Sequence, residues 1–316
     1  MTDAAQTRSA IEPVPFSLYE ADFEAFSKAL GDSFKRYGFA AISDYDLDQA
    51  KIDAAIDAAK RFFALPDAVK KQYAVGKGGQ RGYIPFGIET AKGATHHDLK
   101  EFWHMGRDLA PGHRYAPQMP PNVWPAEIDD FHDKVAWLYN ALDSMGAKVL
   151  QAIAAYLNLP RHQFDEAVRE GNSILRLLHY PPIPADATGV RAGAHGDINA
   201  ITLLLGAEEG GLQVKDRDGQ WLPINPPPGC LVCNIGDMLE RATNHVLPST
   251  IHQVVNPPPE RRAFARYSTP FFLHFAPDYE ISTLPGCATP ENPDRYPEPL
   301  TADDFLMQRL KEIKLL

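Results

Sequence analysis

A change in hydrophobic period near residue 173 is the feature that most limits how this 316-residue chain can fold. After that point apolar residues occur in short β-prone runs instead of recurring every three or four positions. Turn signals separate the runs, and Asp218-Gly219 between two of them favours a hairpin. The runs cover residues 173–180, 200–205, 211–215, 220–224, 230–235, 251–255 and 264–275. Short antiparallel strands without intervening helices hide their edges by closing or doubling the sheet, so the pattern predicts a sandwich or jelly roll.

The first half of the chain has mainly helical periodicity. Apolar residues at helical spacing predict one helix that ends at Gly38, a second that ends before Pro66, and a long third helix across 128–153. Residues 39–43 read as a strand, and Thr301 with Asp304 forms a capping box for a C-terminal helix. The stretch 75–125 is rich in Gly, His and Pro and is too long for a structureless loop without a function.

These patterns predict a mainly β protein with flanking helices around a sandwich or jelly-roll core. We expect residues 1–125 to form an N-terminal mixed α/β region. Residues 126–316 would then hold the long helix, the jelly-roll domain and the C-terminal helix.

Composition excludes several classes of function. Lys and Arg total 31 against 41 for Asp and Glu, and the resulting charge of −10 disfavours nucleic acid as a partner. The N-terminus lacks an apolar run, so we expect a cytoplasmic protein without a membrane partner. Cys230, Cys233 and Cys287 are too few for a disulfide framework, and the first two would face opposite sides of a strand. They are interpreted as structural.

His195 and Asp197 mark a candidate metal site. Side chains two apart on an extended strand share a face, so the imidazole and the carboxylate would converge on one point. A second His-x-Asp, at residues 96–98, lies in a polar stretch and is predicted to be a solvated loop. His252, on a later strand, supplies a candidate third ligand. Two imidazoles and one carboxylate are typical of non-haem Fe(II) oxygenases, although zinc with a water accepts the same ligands.

Two further strands carry polar side chains that suit an organic acid. Arg266 and Ser268 share a face and offer a guanidinium and a hydroxyl to one carboxylate. Arg266 lies in an apolar strand, and a buried guanidinium needs an acid opposite it. On the run 173–180, Arg176 and Tyr180 also share a face. Tyr180 could donate a hydrogen bond to the same acid or to a metal-bound one, and Arg176 could contact a substrate.

The order of the motifs HYPP, HGD, NIGDMLER and RYS followed by PFF resembles the 2-oxoglutarate and Fe(II)-dependent oxygenases of the isopenicillin N synthase-like family. The resemblance covers nearly the whole chain and includes YGFAAIS, FFALP, QRGYIPFG and DLKEFWHMGR in the first half. One departure is Leu178, where many plant relatives carry an Asn whose side chain could bond the cosubstrate.

The resemblance implies a mainly β fold with flanking helices around a double-stranded β-helix (jelly-roll, cupin-like) core, and it implies roles for the candidate residues. His195, Asp197 and His252 would hold Fe(II), Arg266 and Ser268 would bind the distal carboxylate of 2-oxoglutarate, and Tyr180 would assist. With O2 as the second cosubstrate, the enzyme would hydroxylate, desaturate or cyclise a small organic molecule and release succinate and CO2. No catalytic residue beyond the metal centre is implied.

Substrate contacts are expected from Arg176 and from Tyr83, Phe86 and Trp103 in the long connecting stretch. His245 and His274 are interpreted as structural or solvated. Three alternatives stay open at this point. The first is an Fe(II) oxidase that needs no 2-oxoglutarate and grips the substrate carboxylate with Arg266 and Ser268. The others are a metal-stabilised small-molecule binding protein without turnover, and a zinc hydrolase, which would leave Arg266 without an assigned partner.

Overall fold

The computed structural model describes residues 11–75, 80–88, 97–184, 187, 189–205 and 210–312. The helices are α1 (Leu18–Ala21), α2 (Phe23–Tyr37), α3 (Gln49–Phe63), α4 (Asp67–Lys70), α5 (Phe131–Tyr156), α6 (Asp165–Arg169), α7 (Asp237–Ala242) and α8 (Ala302–Glu312). The first strands are β1 (Pro13–Pro15), β2 (Phe39–Ser43), β3 (Gly82–Ile84), β4 (Glu101–Gly106), β5 (Ile174–Tyr180), β6 (Ala192–His195) and β7 (Ile201–Leu205). They are followed by β8 (Leu212–Lys215), β9 (Trp221–Pro223), β10 (Leu231–Ile235), β11 (His252–Val254), β12 (Arg266–Ser268), β13 (Pro270–Leu273), β14 (Glu280–Ile281) and β15 (Leu300–Thr301).

Two sheets form the jelly-roll core. The major sheet has nine strands in the order β1-β2-β10-β7-β13-β5-β4-β3, with β12 also paired to β5. The minor sheet has the order β6-β11-β8-β9. Strand β5 and strands β7 to β13 coincide with the predicted β-prone runs, except that Thr269 divides the last run into β12 and β13, and β6 lies outside these runs. The hairpin predicted at Asp218-Gly219 joins β8 to β9, with Gly219 at φ +80°.

A helical layer covers one face of the major sheet. The long helix α5 packs on α2, α3, β7 and β13, and Gly38 ends α2 in the left-handed conformation at φ +71°. Alternation along β7 and β13 divides the side chains between two environments. Leu203 and Phe271 join the core with α5, whereas Thr202 and Phe272 line a cavity on the other face. The helices therefore leave the inner face of the sheet available for a site.

The stretch 75–125 is not a structureless loop, because it contributes two strands. β3 and β4 extend the major sheet beyond β5, and every residue of β4 is buried. With β1 and β2 they bring the N-terminal region into the same sheet as the later strands. The short length of β3 and the apolar residues on both faces of β4 conceal a two-residue period, so the sequence did not reveal them.

The prediction of a solvated loop at residues 96–98 is wrong for Asp98. This carboxylate is only 5% exposed, accepts a hydrogen bond from the Gly193 amide at 3.1 Å and forms an ion pair with Lys100 at 2.9 Å. His97 is exposed, and His96 lies outside the described residues. Asp98 therefore contacts and stabilises β6, the strand that carries His195.

All three cysteines are free and buried. Among the helices of the described residues, none combines the length and the apolar character that crossing a bilayer requires.

Candidate active site

His195 and His252 face each other on the paired strands β6 and β11, where they are directly opposite in register. Their ring centroids are 4.5 Å apart. The Nδ1 atom of His195 lies 2.7 Å from the Gly193 carbonyl oxygen, and that of His252 lies 3.1 Å from the Thr250 carbonyl oxygen. Because each carbonyl accepts the Nδ1 proton, each Nε2 keeps a lone pair for a metal.

Asp197 occupies a different element from the one predicted. Strand β6 ends at His195, and Asp197 lies in the turn that leads to β7. Its Oδ2 accepts hydrogen bonds from the Thr202 hydroxyl at 2.6 Å and the Asn234 amide at 2.8 Å. Its Oδ1 lies 3.8 Å from His252 Nε2 and 4.0 Å from His195 Nε2. Thr202 and Asn234 thus hold one carboxylate oxygen and leave the other for a metal.

The donor set fits Fe(II). The ligand atoms of His195, Asp197 and His252 all lie within 4.8 Å of one another, and among the described residues no other group of three His, Cys, Asp or Glu side chains does so. Burial alone would raise the pKa of Asp197, but the two histidines and the bonds from Asn234 and Thr202 outweigh it and lower that pKa. Desolvation lowers the pKa of His195 to about 4. At neutral pH the imidazole is therefore neutral and the carboxylate is charged, as metal ligation requires.

The residues predicted to hold an organic acid come together on the opposite sheet. β12 pairs with β5 so that Arg266 lies opposite Tyr180 and Ser268 opposite Leu178. Arg266, Ser268 and Tyr180 are 3%, 6% and 2% exposed. The Arg266 guanidinium donates a hydrogen bond to the Tyr180 hydroxyl and lies 5.0 Å from its ring centroid. Burial lowers the pKa of Arg266, and Tyr180 partly offsets that effect.

A cavity of about 70 Å³, open at its mouth, connects the histidines to these residues. The lining side chains come from both sheets and from the segment before β4: Phe39, Lys100, Arg176, Leu178, Tyr180, Ala192, His195, Asp197, Thr202, Leu204, Leu212, Asn234, His252, Val254, Arg266, Ser268, Pro270 and Phe272. Because Lys100 forms an ion pair with Asp98, the charges of Arg176 and Arg266 stand against the one carboxylate of Asp197, which leaves the wall positively charged.

Of the four predicted substrate contacts, Arg176 lines this cavity. Its Nε donates to His104 Nε2 at 2.6 Å. Its guanidinium lies 4.2 Å from the ring centroid of Phe102 and 5.2 Å from that of Phe272.

Tyr83 and Trp103 point away from the cavity because they pair across β3 and β4 and lie on the face that packs in the hydrophobic core. Phe102, not Trp103, is the neighbour of cavity-lining Leu178 in the sheet. Trp103 is fully buried against Phe62, at a centroid distance of 4.7 Å. The Tyr83 hydroxyl donates to Glu101 within the same core. Neither residue is part of the cavity wall that the described residues form.

The remaining predicted positions lie outside the cavity wall formed by the described residues. Phe86 follows β3 in a turn and is 49% exposed. His245 contacts Glu240 and the Tyr296 hydroxyl, and His274 is buried beyond β13. Burial lowers the pKa of His274 to about 4.

Two family models match the chain. Residues 11–127 match the non-haem dioxygenase in morphine synthesis N-terminal model, and residues 171–275 match the 2OG-Fe(II) oxygenase superfamily model. A 2-oxoglutarate-Fe(II) type oxidoreductase of Emericella nidulans is 33% identical over 297 residues, which cover 89% of this chain and 82% of that protein.

Solved structures agree with these matches. A protein of the 2OG-Fe(II) oxygenase family from Caulobacter crescentus has 74% identity and a TM-score of 0.92, over 96% of this chain and 99% of that one. Neurospora crassa T7H in complex with alpha-KG and thymine has 30% identity and a TM-score of 0.85, over 97% of this chain and 98% of that one. The names of these relatives favour a 2-oxoglutarate-dependent enzyme over the oxidase, the zinc hydrolase and the non-catalytic binding protein. The chain belongs to the 2OG-Fe(II) oxygenase superfamily and is a 2-oxoglutarate-dependent Fe(II) dioxygenase.

Proposed function

We propose that His195, Asp197 and His252 hold the iron of this dioxygenase, and that Arg266 and Ser268, assisted by Tyr180, bind the distal carboxylate of 2-oxoglutarate. One observation carries the assignment. Three ligand atoms within 4.8 Å of one another open onto the same cavity as a guanidinium that is only 3% exposed. A buried guanidinium facing an internal cavity favours an anionic ligand.

Bound Fe(II) supplies the activation of O2 and the oxidative decarboxylation of 2-oxoglutarate to succinate and CO2. The side chains of this protein supply position and environment. The Gly193 and Thr250 carbonyls fix the orientation of the two imidazoles, and Thr202 and Asn234 fix that of the carboxylate. Leu178, Leu204 and Phe272 give part of the wall an apolar surface that excludes water from the reacting carbon.

We also propose that the substrate is a small planar molecule that carries carbonyl or carboxylate oxygens. Arg176 and Phe272 both line the cavity, and the Arg176 guanidinium lies 5.2 Å from the ring centroid of Phe272. Aromatic rings and a guanidinium suit a flat, oxygen-bearing molecule. The binding of thymine and alpha-KG by T7H supports this class of substrate.

Succinate formation tests the iron assignment. The purified protein with Fe(II), 2-oxoglutarate, ascorbate and O2 should form succinate, and a panel of flat heterocycles and aromatic acids should increase the rate. His252→Ala should abolish succinate formation and stoichiometric iron binding. His162→Ala removes an imidazole that is 68% exposed on the surface and should change neither. Full iron binding and succinate formation in His252→Ala would refute the assignment.

We propose a cytoplasmic location and no nucleic-acid partner. The three free, buried thiols suit a reducing compartment, and the net charge of −10 disfavours a polyanion. Recovery of the tagged protein in the cytoplasmic fraction of its native cell would support the location, whereas recovery in a secreted or membrane fraction would contradict it.

A further inference from the structure

Two buried arginines contact one tyrosine at the Arg266 end of the cavity. The Cζ atom of Arg266 lies 5.0 Å from the ring centroid of Tyr180, and the Cζ atom of Arg191 lies 6.0 Å from it. Arg191 has no exposed surface, and Arg266 is 3% exposed. Burial and the nearby Arg266 charge lower the pKa of Arg191 to about 10. At neutral pH two positive charges are therefore concentrated around Tyr180.

The contacts of Arg191 leave much of its guanidinium unsatisfied. The residue directly precedes β6, and its backbone amide donates to Asn256 Oδ1 at 3.0 Å. Its Nη2 makes a long bond of 3.4 Å to the Phe264 carbonyl oxygen, while Nε and Nη1 are buried without a hydrogen-bond partner. No carboxylate of the described residues forms an ion pair with it. A buried guanidinium in this condition is unfavourable unless an anion compensates its charge.

Arg81 shows what distinguishes Arg191. Arg81 is also buried, at 4% exposure, and two of its nitrogens lack hydrogen-bond partners. Burial lowers its pKa to about 10 as well. Its guanidinium, however, packs over Gly106 on β4. Arg191 instead contacts the ring of Tyr180, which Arg266 also contacts. Tyr180 and Arg266 line the cavity. An anion bound at Arg266 would also lie in the field of Arg191.

We propose that Arg191 is a positioning residue that acts with Arg266 through Tyr180 to make this end of the cavity selective for a 2-oxo acid with a second, distal carboxylate. The inference rests on the proposed function of Arg266 and Ser268 as the distal-carboxylate site. The charge of Arg191 adds to the attraction for the distal carboxylate, because the low-dielectric surroundings screen it weakly. Its removal should therefore weaken the binding of a dicarboxylate more than that of a monocarboxylate.

The experiment compares two 2-oxo acids of the same chain length. The anaerobic Fe(II) protein is titrated with 2-oxoglutarate and with 2-oxopentanoate, which carries a methyl group in place of the distal carboxylate, and the visible absorbance of the chelate gives each Kd. The wild-type protein should prefer 2-oxoglutarate strongly. Arg191→Gln should reduce the ratio of the two Kd values by about 10-fold or more, as expected for losing a weakly screened charge. Iron affinity and the Kd of 2-oxopentanoate should change little.

Control variants separate this effect from damage to the fold. Arg81→Gln removes an equally buried guanidinium and should keep the wild-type ratio. Arg191→Lys keeps the charge and should retain most of the preference. If Arg191→Gln does not fold, Arg191→Met, which fills a similar volume, is measured against Arg191→Lys.

The possible results separate the role of Arg191 from that of the distal-carboxylate site at Arg266. An unchanged ratio in the folded Arg191→Gln or Arg191→Met protein would overturn the role of Arg191 and leave the role of Arg266 intact. If the wild-type protein binds both acids equally, the distal-carboxylate site itself is wrong, and the role of Arg191 fails with it.

Discussion

At the scale of single residues, the hydrogen bonds to Asp197 determine how firmly its carboxylate is oriented for metal binding. Thr202 and Asn234 both donate to Oδ2, so the carboxylate is held before iron arrives. Thr202→Val keeps the shape of the side chain and removes the hydroxyl. We expect it to weaken Fe(II) affinity by about 10- to 100-fold, the usual effect of losing a bond behind a metal ligand. Competition for Fe(II) with a chelator under anaerobic conditions measures the change.

The matched control is Thr283→Val. It removes a hydroxyl that donates a solvent-exposed hydrogen bond to Asp294. That variant should bind iron like the wild-type protein. Equal Fe(II) affinity of Thr202→Val and wild type would mean that the bond to Oδ2 does not contribute to the site.

Some site residues were predictable from the sequence and others were not. His195, Asp197, His252, Arg266 and Ser268 belong to short motifs whose spacing indicates chemistry. Thr202 and Asn234 are ordinary strand residues, and their role depends on the register between β7 and β10, which pairs them directly. The sequence carries no local signal for this register, because it is set by strands far apart in the chain.

Among the secondary-structure elements, helix α7 carries Glu240, a glutamate whose carboxyl pKa is unusually high. Burial raises the pKa of Glu240 from 4.5 to about 7. The folded protein therefore keeps a proton that the unfolded chain loses above about pH 4.5. Between these values the folded state binds more protons, so the contribution of Glu240 to the unfolding free energy falls as pH rises.

Glu240→Gln should remove this pH dependence of the unfolding free energy, because glutamine is neutral at every pH. The glutamine side-chain oxygen can still accept the hydrogen bond from the Ser249 backbone amide. We expect the variant to match the wild-type protein near pH 5 and to exceed its unfolding free energy by about 1–3 kcal/mol at pH 8. Urea unfolding at both pH values measures the difference. Glu166→Gln, at a carboxyl that is 80% exposed, serves as the control. A stability difference that is the same at pH 5 and pH 8 would contradict the prediction.

The packing of α2 on α5 depends on the lack of a side chain at Gly31. A Cβ atom there would lie 2.0 Å from ring carbons of Tyr156. Gly31→Ala should therefore destabilise the protein by roughly 1–3 kcal/mol, despite the higher helix propensity of alanine. Thermal or urea unfolding measures the loss.

The double variant Gly31→Ala/Tyr156→Ala tests the cause of that loss. If the clash with the ring is responsible, the added methyl should cost much less in the Tyr156→Ala background, so the two substitutions will not be additive. Additive losses would point to a different origin.

The elements with clear periodicity were predicted well. The helices α2, α3 and α5 and the strands β5, β7 and β10 all follow from simple patterns. β3 and β4 did not, and without these strands the sequence could not show that Tyr83 and Trp103 face the core. A one-residue shift in strand parity exchanges cavity and core side chains, so the identity of a strand has to be known before its facing residues can be named.

At the scale of the whole molecule, the cavity connects the two sheets, so ligands bound there should stabilise the fold. The division of the chain near residue 125 stays a prediction, although strands from both segments share the major sheet.

Binding of Fe(II) and 2-oxoglutarate should raise the melting temperature. A ligand at 100 times its Kd adds about 2.7 kcal/mol to the unfolding free energy, which corresponds to a shift of roughly 4 °C for a chain of this size. Anaerobic differential scanning fluorimetry measures the shift. Asp197→Ala should show little shift with the same additions. An equal shift in Asp197→Ala would indicate that the ligands bind elsewhere.

The most direct test of the central assignment is a crystal structure of the anaerobic protein with Fe(II) and 2-oxoglutarate, with anomalous data collected at the iron edge. We expect one strong anomalous peak between His195 Nε2, Asp197 Oδ1 and His252 Nε2, and the distal carboxylate of 2-oxoglutarate on Arg266 and Ser268. An iron peak away from these three atoms, or a cosubstrate whose distal carboxylate lies away from Arg266, would contradict it.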